Sequence, residues 1–437
     1  MATGTPSAST KNGLMALNSS SEVELSYPGK RPLNEIWRTL PAMLYQISAG
    51  STNKRLYFAE NLSVLAALAG DKDVCGKVRL VYIDPPYGTQ TVFHSRKLTH
   101  AYEDILETAQ YVDFMRERLA FLHRILAEDG SIYVHIDEKM VFHVKLVLDE
   151  IFGASNYRNC ITRKKCNPKN YTRKTYGNVA DYILFYSKSD KYVWNRQVEP
   201  WSVDGAKEYQ YVEPETGRKY MKVPVHAPGI RNGETGKPWR GKLPPPGKHW
   251  QFTPETLEAM DAKGEIFWSS NGNPRRKVYL DQSAGIPVQD IWMGFRDAHN
   301  QNIQITGYPT EKNYDLLKRI VEASSDPGDI VLDCFAGSGT TLVAADTLRR
   351  NWIGIDNSPE ALRTMLHRFA NGTDLMGDFV EKKRKPAHPS LFEVMSKGEE
   401  SQHSKIEFQR VKDFALFVDQ ANEALLENII MHVTNAS

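Results

Sequence analysis

The tetrapeptide Asp84-Pro85-Pro86-Tyr87 directly follows an apolar, β-branched run, Val78–Ile83 (VRLVYI). Consecutive prolines fix the backbone, and Pro85 carries no N–H, so carbonyls turn outward from the end of the run. The Asp84 carboxylate can accept a hydrogen bond from an exocyclic amine, and so can the Pro85 carbonyl. Together they would hold the amine so that its nitrogen lone pair is free to attack. Tyr87 offers a flat ring on which an extruded base could stack. The plainer reading of the same residues is a proline turn with a solvent-facing acid.

A second constellation, Asp333-Cys334-Phe335-Ala336-Gly337-Ser338-Gly339-Thr340-Thr341, follows the run Ile330–Asp333 (IVLD) and opens a helical pattern. Glycines in that setting let the backbone approach a nucleotide-like ligand. The loop has no lysine of the kind that cradles phosphates, which argues against an NTPase, and no third glycine of a dinucleotide fingerprint. Asp356 ends the next apolar run (WIGID), where a carboxylate can accept hydrogen bonds from ribose hydroxyls. Cys160 and Cys166, with His226 or His249, lack zinc-ligand spacing, so structural thiols and no metal are expected. No Cys stands in the Pro-Cys setting that attacks cytosine carbon.

These groups need a frame. Helical spacing over 59–69, a buried strand at Val78–Ile83, a helix over 105–127, a turn at Asp129-Gly130, a strand over 131–136 and a helix over Val141–Phe152 alternate in order. The pattern resumes after Gln301 with a helix over 313–324, a strand at Ile330–Asp333, a helix over 340–350 and a strand over 352–356. Such alternation predicts an α/β fold, a doubly wound, mainly parallel sheet with helices on both faces. Both motifs end strands and should meet at the carboxyl edge.

Between the two blocks, residues 158–248 hold 19 Lys and Arg against 8 Asp and Glu, well above the balance of the whole 437-residue chain, 55 against 53. Tyr171, Tyr176, Trp194, Trp201, Tyr209, Tyr211, Trp239 and Trp250 are interleaved, and proline and glycine turns abound. One stretch, 180–186 (ADYILFY), still reads as a strand of the sheet. The rest suits nucleic acid, with phosphates on Lys and Arg and bases on rings, or else a solvated basic face. The whole-chain net charge of +2 names no partner by itself. Four scattered cysteines argue for a reducing cytosol over a disulfide framework. No apolar run reaches the ~18 residues of a membrane helix, and the Ser/Thr-rich start carries no secretory h-region. The expected organisation is a flexible lead-in at 1–32, a first catalytic part at 33–157, a basic insert at 158–295, a second catalytic part at 296–375, and a tail at 376–437 with an amphipathic helix around 414–430.

DPPY together with FAGSGTT resembles the amino-methyltransferases of DNA that use S-adenosylmethionine. The order, tetrapeptide before glycine loop with the basic stretch between, is similar to their circularly permuted β class, in a Rossmann-like methyltransferase fold. FMRERL (114–119), SIYVHIDEKM, DEIFG, DIW (290–292) and GYPTEK (307–312) agree best with modification subunits of type III restriction systems. The resemblance covers about residues 55–370. It implies that Asp84, Pro85, Pro86 and Tyr87 are catalytic. It places Asp333, Phe335, Ala336, Gly337, Gly339, Thr340 and Asp356 around the cofactor, Thr310 and Lys312 on its methionine carboxylate, and Asn61 near its adenine. His135 and Asp137 end a strand at the same edge, as site lining or as ordinary packing. The implied reaction flips adenine out of double-stranded DNA, methylates N6 and releases S-adenosylhomocysteine. N4 of cytosine is the nearest alternative; RNA, protein glutamine or a catalytically dead scaffold fit less well. A homodimer and a restriction subunit are the implied partners.

Overall fold

The computed structural model describes residues 25–47, 50–51, 53–86, 93–94, 100–102, 108–168, 174–201, 205–283, 285–297, 304–306, 308, 310–375, 413–423 and 425. Tyr87, the segment 1–24 and the tail 376–412 lie outside them. The chain divides into two compact units, residues 1–195 with 290–437, and residues 196–289.

The larger unit is built on a ten-stranded sheet. Its strands are β1 (Leu44–Gln46), β2 (Lys54–Phe58), β3 (Val78–Ile83), β4 (Leu126–Ile136), β5 (Tyr157–Lys164), β6 (Ala180–Ser187), β7 (Ile291–Trp292), β8 (Ile330–Asp333), β9 (Asn351–Asp356) and β10 (Ala415–Asp419), in the spatial order β1-β10-β2-β9-β8-β3-β4-β6-β5-β7. Only β1 and β6 run against the others among these ten. The central strands read as continuous apolar runs because helices bury both faces of a parallel sheet: Leu80, Val81, Ile83, Val331, Leu332, Ile353 and Ile355 are all buried. The expected doubly wound, mainly parallel α/β architecture is what the chain adopts.

Among the described residues of this unit, the helices of eight or more residues are α1 (Asn61–Leu68), α2 (Thr108–Ile125), α3 (Val141–Phe152), α4 (Tyr314–Ser324), α5 (Thr340–Thr347) and α6 (Pro359–Asn371). Their starts follow from local chemistry. Glu60, Asn313 and Ser358 each accept a backbone N–H of the first turn with their side chains, and Pro359 stands where its missing N–H costs nothing.

Three expectations need correction. Residues 415–419 form a strand, not part of a helix. β10 fits between β1 and β2, buries Ala415, Leu416 and Val418, and stacks Phe417 on Tyr57 at 4.9 Å. Asp129-Gly130 is no break, since β4 runs through it and the irregularity appears as a register shift against β3. The basic insert begins later than position 158, because β5 and β6 pair with each other inside the large sheet. The separate unit covers 196–289.

That unit carries an antiparallel four-stranded sheet of Tyr211–Val212, Lys219–Pro224, Pro274–Tyr279 and Ile266–Trp268. Its small core is Val225, Trp239, Trp250, Leu257 and Ile266. Two of the interleaved tryptophans are therefore structural and cannot stack on bases.

Candidate active site

Strand register brings the two motifs to one edge. β8 lies beside β3 and parallel to it, with Leu332 opposite Val81, so Asp333 and Asp84 leave the sheet side by side. β9 follows with Gly354 opposite Asp333, and β2 with Phe58 opposite Asp356. Four neighbouring carboxyl ends thus deliver Asp84, Asp333, Asp356 and the Glu60-Asn61 pair. Pro85 is buried and Asp84 nearly so.

The loop after β8 is shaped by its own carboxylates. Asp333 is buried and accepts the Thr341 hydroxyl at 2.6 Å and the Phe335 N–H at 3.0 Å. Asp356 accepts the Gly337 N–H and the Ser358 N–H, each at 2.8 Å. Gly337 and Gly339 have φ of 52° and 74°, a region that suits glycine. A Cβ on Gly339 would also come within 2.9 Å of Met365. Burial, reinforced by the charges of Asp84 and Asp356, pushes the Asp333 carboxyl up to about 7 against the hydrogen bonds that favour its ionised form. Burial also raises Asp356, opposed by its backbone N–H partners.

Lys312 closes the site from the other side, its Nζ 2.5 Å from Asp84 Oδ2. Lys312 follows Glu311, which is buried, accepts the Thr306 N–H and hydroxyl at 2.8 and 2.7 Å, and lies 3.2 Å from Arg368 Nη1. The same Arg368 nitrogen donates to the Thr340 hydroxyl at 2.8 Å and to the Ser338 carbonyl at 3.2 Å. A buried ion pair therefore ties Glu311, and through it Thr306, to the glycine loop. Thr310 is exposed, with φ of 62°.

Asn61 uses both ends of its amide internally, donating to the Cys334 carbonyl at 2.8 Å and accepting from Arg118 Nε at 2.6 Å. Arg118 also donates to Glu60 at 2.7 Å and lies over the Phe114 ring, whose centroid is 6.0 Å from that of Phe335. Burial lowers Arg118 despite Glu60. Neither Arg118 nor Arg368 stood out in the sequence. Their signal was an arginine among the apolar residues of a helix's buried face, four residues after Phe114 in one case and next to Phe369 in the other.

His135 and Asp137 separate. Asp137 accepts the Lys139 and Met140 N–H groups at 3.2 and 3.0 Å, an ordinary helix-entry turn. His135 is fully buried, with Nδ1 2.8 Å from the Tyr82 hydroxyl and Nε2 3.0 Å from Asp181. Asp181 pairs with Arg163 at 2.8 Å, and Arg163 reaches Asp297 at 2.8 Å. Burial alone would push Asp181 up, but His135, Arg163 and Lys312 hold it well below the usual carboxylate range. The cysteines carry no disulfide among the described residues, and no cluster there has the ligands for a metal ion. No described helix is long and apolar enough to cross a membrane.

The DNA methylase family profile matches residues 78–367, from β3 into α6. A type II methyltransferase of Enterobacter cloacae, M.EcaI, is 48% identical over 363 residues, covering 82% of this chain and 78% of its own. The StyLTI Mod subunit of a type III restriction-modification enzyme from Salmonella typhimurium is 26% identical over 66% of this chain, and the match spans 49% of that subunit. The solved complex of M1.HpyAVI with SAM is 17% identical over 72% of this chain and 98% of its own, with a TM-score of 0.38.

Proposed function

The chain belongs to the DNA methylase family, and from that premise we propose that it transfers a methyl group from S-adenosylmethionine to N6 of an adenine flipped out of double-stranded DNA. The observation that carries this reading is the convergence at one sheet edge of Asp84, the glycine loop held by the strand-end carboxylates of Asp333 and Asp356, and Lys312 against Asp84. The donor set suits the cofactor: an ammonium for its carboxylate and a carboxylate for its ribose. Lys312 and Thr310 would hold the methionine carboxylate, Asp356 the ribose, and Phe335 with the Asn61 end of α1 would flank the adenine. S-adenosylmethionine supplies an already electrophilic methyl, so most of the acceleration falls to positioning.

Asp84 accepts one amino hydrogen of the target base, and the Pro85 carbonyl accepts the other. Held that way, the nitrogen keeps its lone pair for in-line attack. Tyr87 stacks on the flipped base. An Asp at position 84, rather than Ser, favours adenine, and N4 of cytosine is the second reading because its amine makes the same demands. The basic unit engages the duplex. A place in a restriction-modification system follows the Mod subunit among the relatives above, and a homodimer, a restriction subunit as partner and a cytoplasmic location complete the proposal.

The test is modified-base sequencing of genomic DNA from cells expressing the wild type or Asp84→Ala. N6-methyladenine in one sequence context, absent with the variant, is expected. N4-methylcytosine would replace adenine by cytosine, and no new DNA mark would overturn the reading. Asp84→Ala should still bind S-adenosylhomocysteine, since it removes the grip on the amine and leaves the glycine loop intact.

A further inference from the structure

The sheet of the 196–289 unit has two unlike faces. Strand register places Ile266 opposite Arg276. Ile266 lies in the small core, and the Arg276 guanidinium lies over Phe252, which packs on it, so one face is committed to packing. The alternate residues form the other face: Tyr211, Tyr220 and Tyr279 in one row, Lys222 opposite Lys277 in the next, and Arg275 opposite Phe267 beyond.

Two lysines directly across an antiparallel pair repel each other and weaken the sheet. Here a third cation, Arg275, follows two residues along the strand. Lys277 is answered by Glu213 at 2.9 Å, at the tyrosine end, where Tyr220 and Tyr279 are buried. Lys222 is answered differently. Its ammonium sits 3.6 Å from the Tyr211 ring centroid and 3.4 Å from that of Phe267. Burial and the fields of Arg275 and Lys277 lower it. Arg275 is exposed. The arrangement is a cation pinned by two rings beside two further cations, a local positive field that an anion would relieve.

We propose that Lys222 and Arg275 form a backbone-phosphate clamp for duplex DNA, with the Tyr211 and Phe267 rings holding the Lys222 ammonium in place. This rests on the DNA reading above and adds to it where, on the basic unit, the charge is spent. A phosphate contact of this kind carries no base information. It contributes affinity equally for all sequences and positions the duplex for whatever reads it.

The experiment needs no recognition sequence. A labelled duplex of arbitrary sequence is titrated with the full-length protein between about 50 and about 200 mM potassium chloride, following anisotropy. The proteins are wild type, Lys222→Gln, Arg275→Gln and, as control, Lys237→Gln, an exposed lysine paired with Glu234. Each clamp variant should flatten the plot of log affinity against log salt by about 0.9, which is roughly eightfold weaker binding at ~0.1 M salt. The control should track the wild type. Arg275→Gln alters an exposed side chain and keeps the test sound if Lys222→Gln folds poorly. Retained S-adenosylhomocysteine binding checks the rest of the chain. Wild-type binding with an unchanged slope in both clamp variants would overturn the clamp and leave the DNA reading standing. A wild type that binds no duplex at all would overturn both, and the sequencing experiment would then have failed as well.

Discussion

At the scale of single residues, the buried carboxyl of Asp333 makes a prediction that needs no cofactor. Its folded pKa, about 7, stands above the unfolded value of 3.8. The folded state therefore holds a proton that the unfolded chain has lost, and this group's contribution weakens as pH rises from about 4 to about 7. Asp333→Asn carries no such titration. Thermal melts of wild type and variant from about pH 5 to about pH 8 should show their difference moving in the variant's favour as pH rises. A difference that stays constant with pH would mean that Asp333 is ionised throughout. Asp333 was legible in the sequence as a strand-end acid before a glycine loop, because loop and acid are neighbours in the chain. The Lys312–Asp84 contact was not, since nothing in either motif says that one folds against the other. Lys312 follows Glu311 in the chain, and the pairing of Glu311 with Arg368 forms only once α6 packs on the loop.

At the scale of elements, the sequence was most readable where burial is two-sided and least readable where it is shared. β3, β8 and β9 declare themselves as apolar runs closed by an acid or leading straight into one, and the site hangs from those ends. The stretch 414–430 misleads because FALFVDQANEALLENII has apolar residues at both helical and strand spacing. A slot in the sheet decides it: β10 gains backbone partners on both sides, from β1 and β2, which a helix over the same residues would forgo. β5 misleads for another reason, since Arg158, Arg163 and Lys164 give it the composition of the insert. Arg163 is nevertheless fully buried against Asp181 and Asp297. The strand assignment makes Val418→Asp a sharp test. Val418 is 2% exposed and lies opposite Phe58 of β2, so an unpaired carboxylate there should cost roughly 3–5 kcal/mol in chemical unfolding. On the solvent face of a surface helix the same change would stay within about 0.5 kcal/mol. A near-neutral result at position 418 would therefore put residues 415–419 outside the sheet.

At the scale of the whole molecule, the chain leaves the large unit and returns to it through neighbouring backbones. Val198 pairs with Pro287 and Glu199 with Ile286, and the Val288 N–H donates to the Gln197 carbonyl at 3.1 Å. Paired antiparallel residues lie about 5 Å apart, so a short Gly/Ser linker can replace residues 197–288 without stretching either end. The large unit keeps its ten strands and its own core in that deletion, because no strand of its sheet comes from 196–289. Such autonomy is what an inserted domain with adjacent ends predicts. The shortened protein should melt cooperatively and bind S-adenosylhomocysteine as the full chain does. Its binding to duplex DNA should lose most of the salt dependence, since the clamp and the other cations of the basic unit are gone. Calorimetry with S-adenosylhomocysteine and anisotropy with duplex DNA separate the outcomes. Lost cofactor binding with a cooperative melt would mean that the basic unit helps to build the cofactor site. Retained, steeply salt-dependent DNA binding would move the phosphate contacts onto the sheet unit and leave the insert with base reading alone.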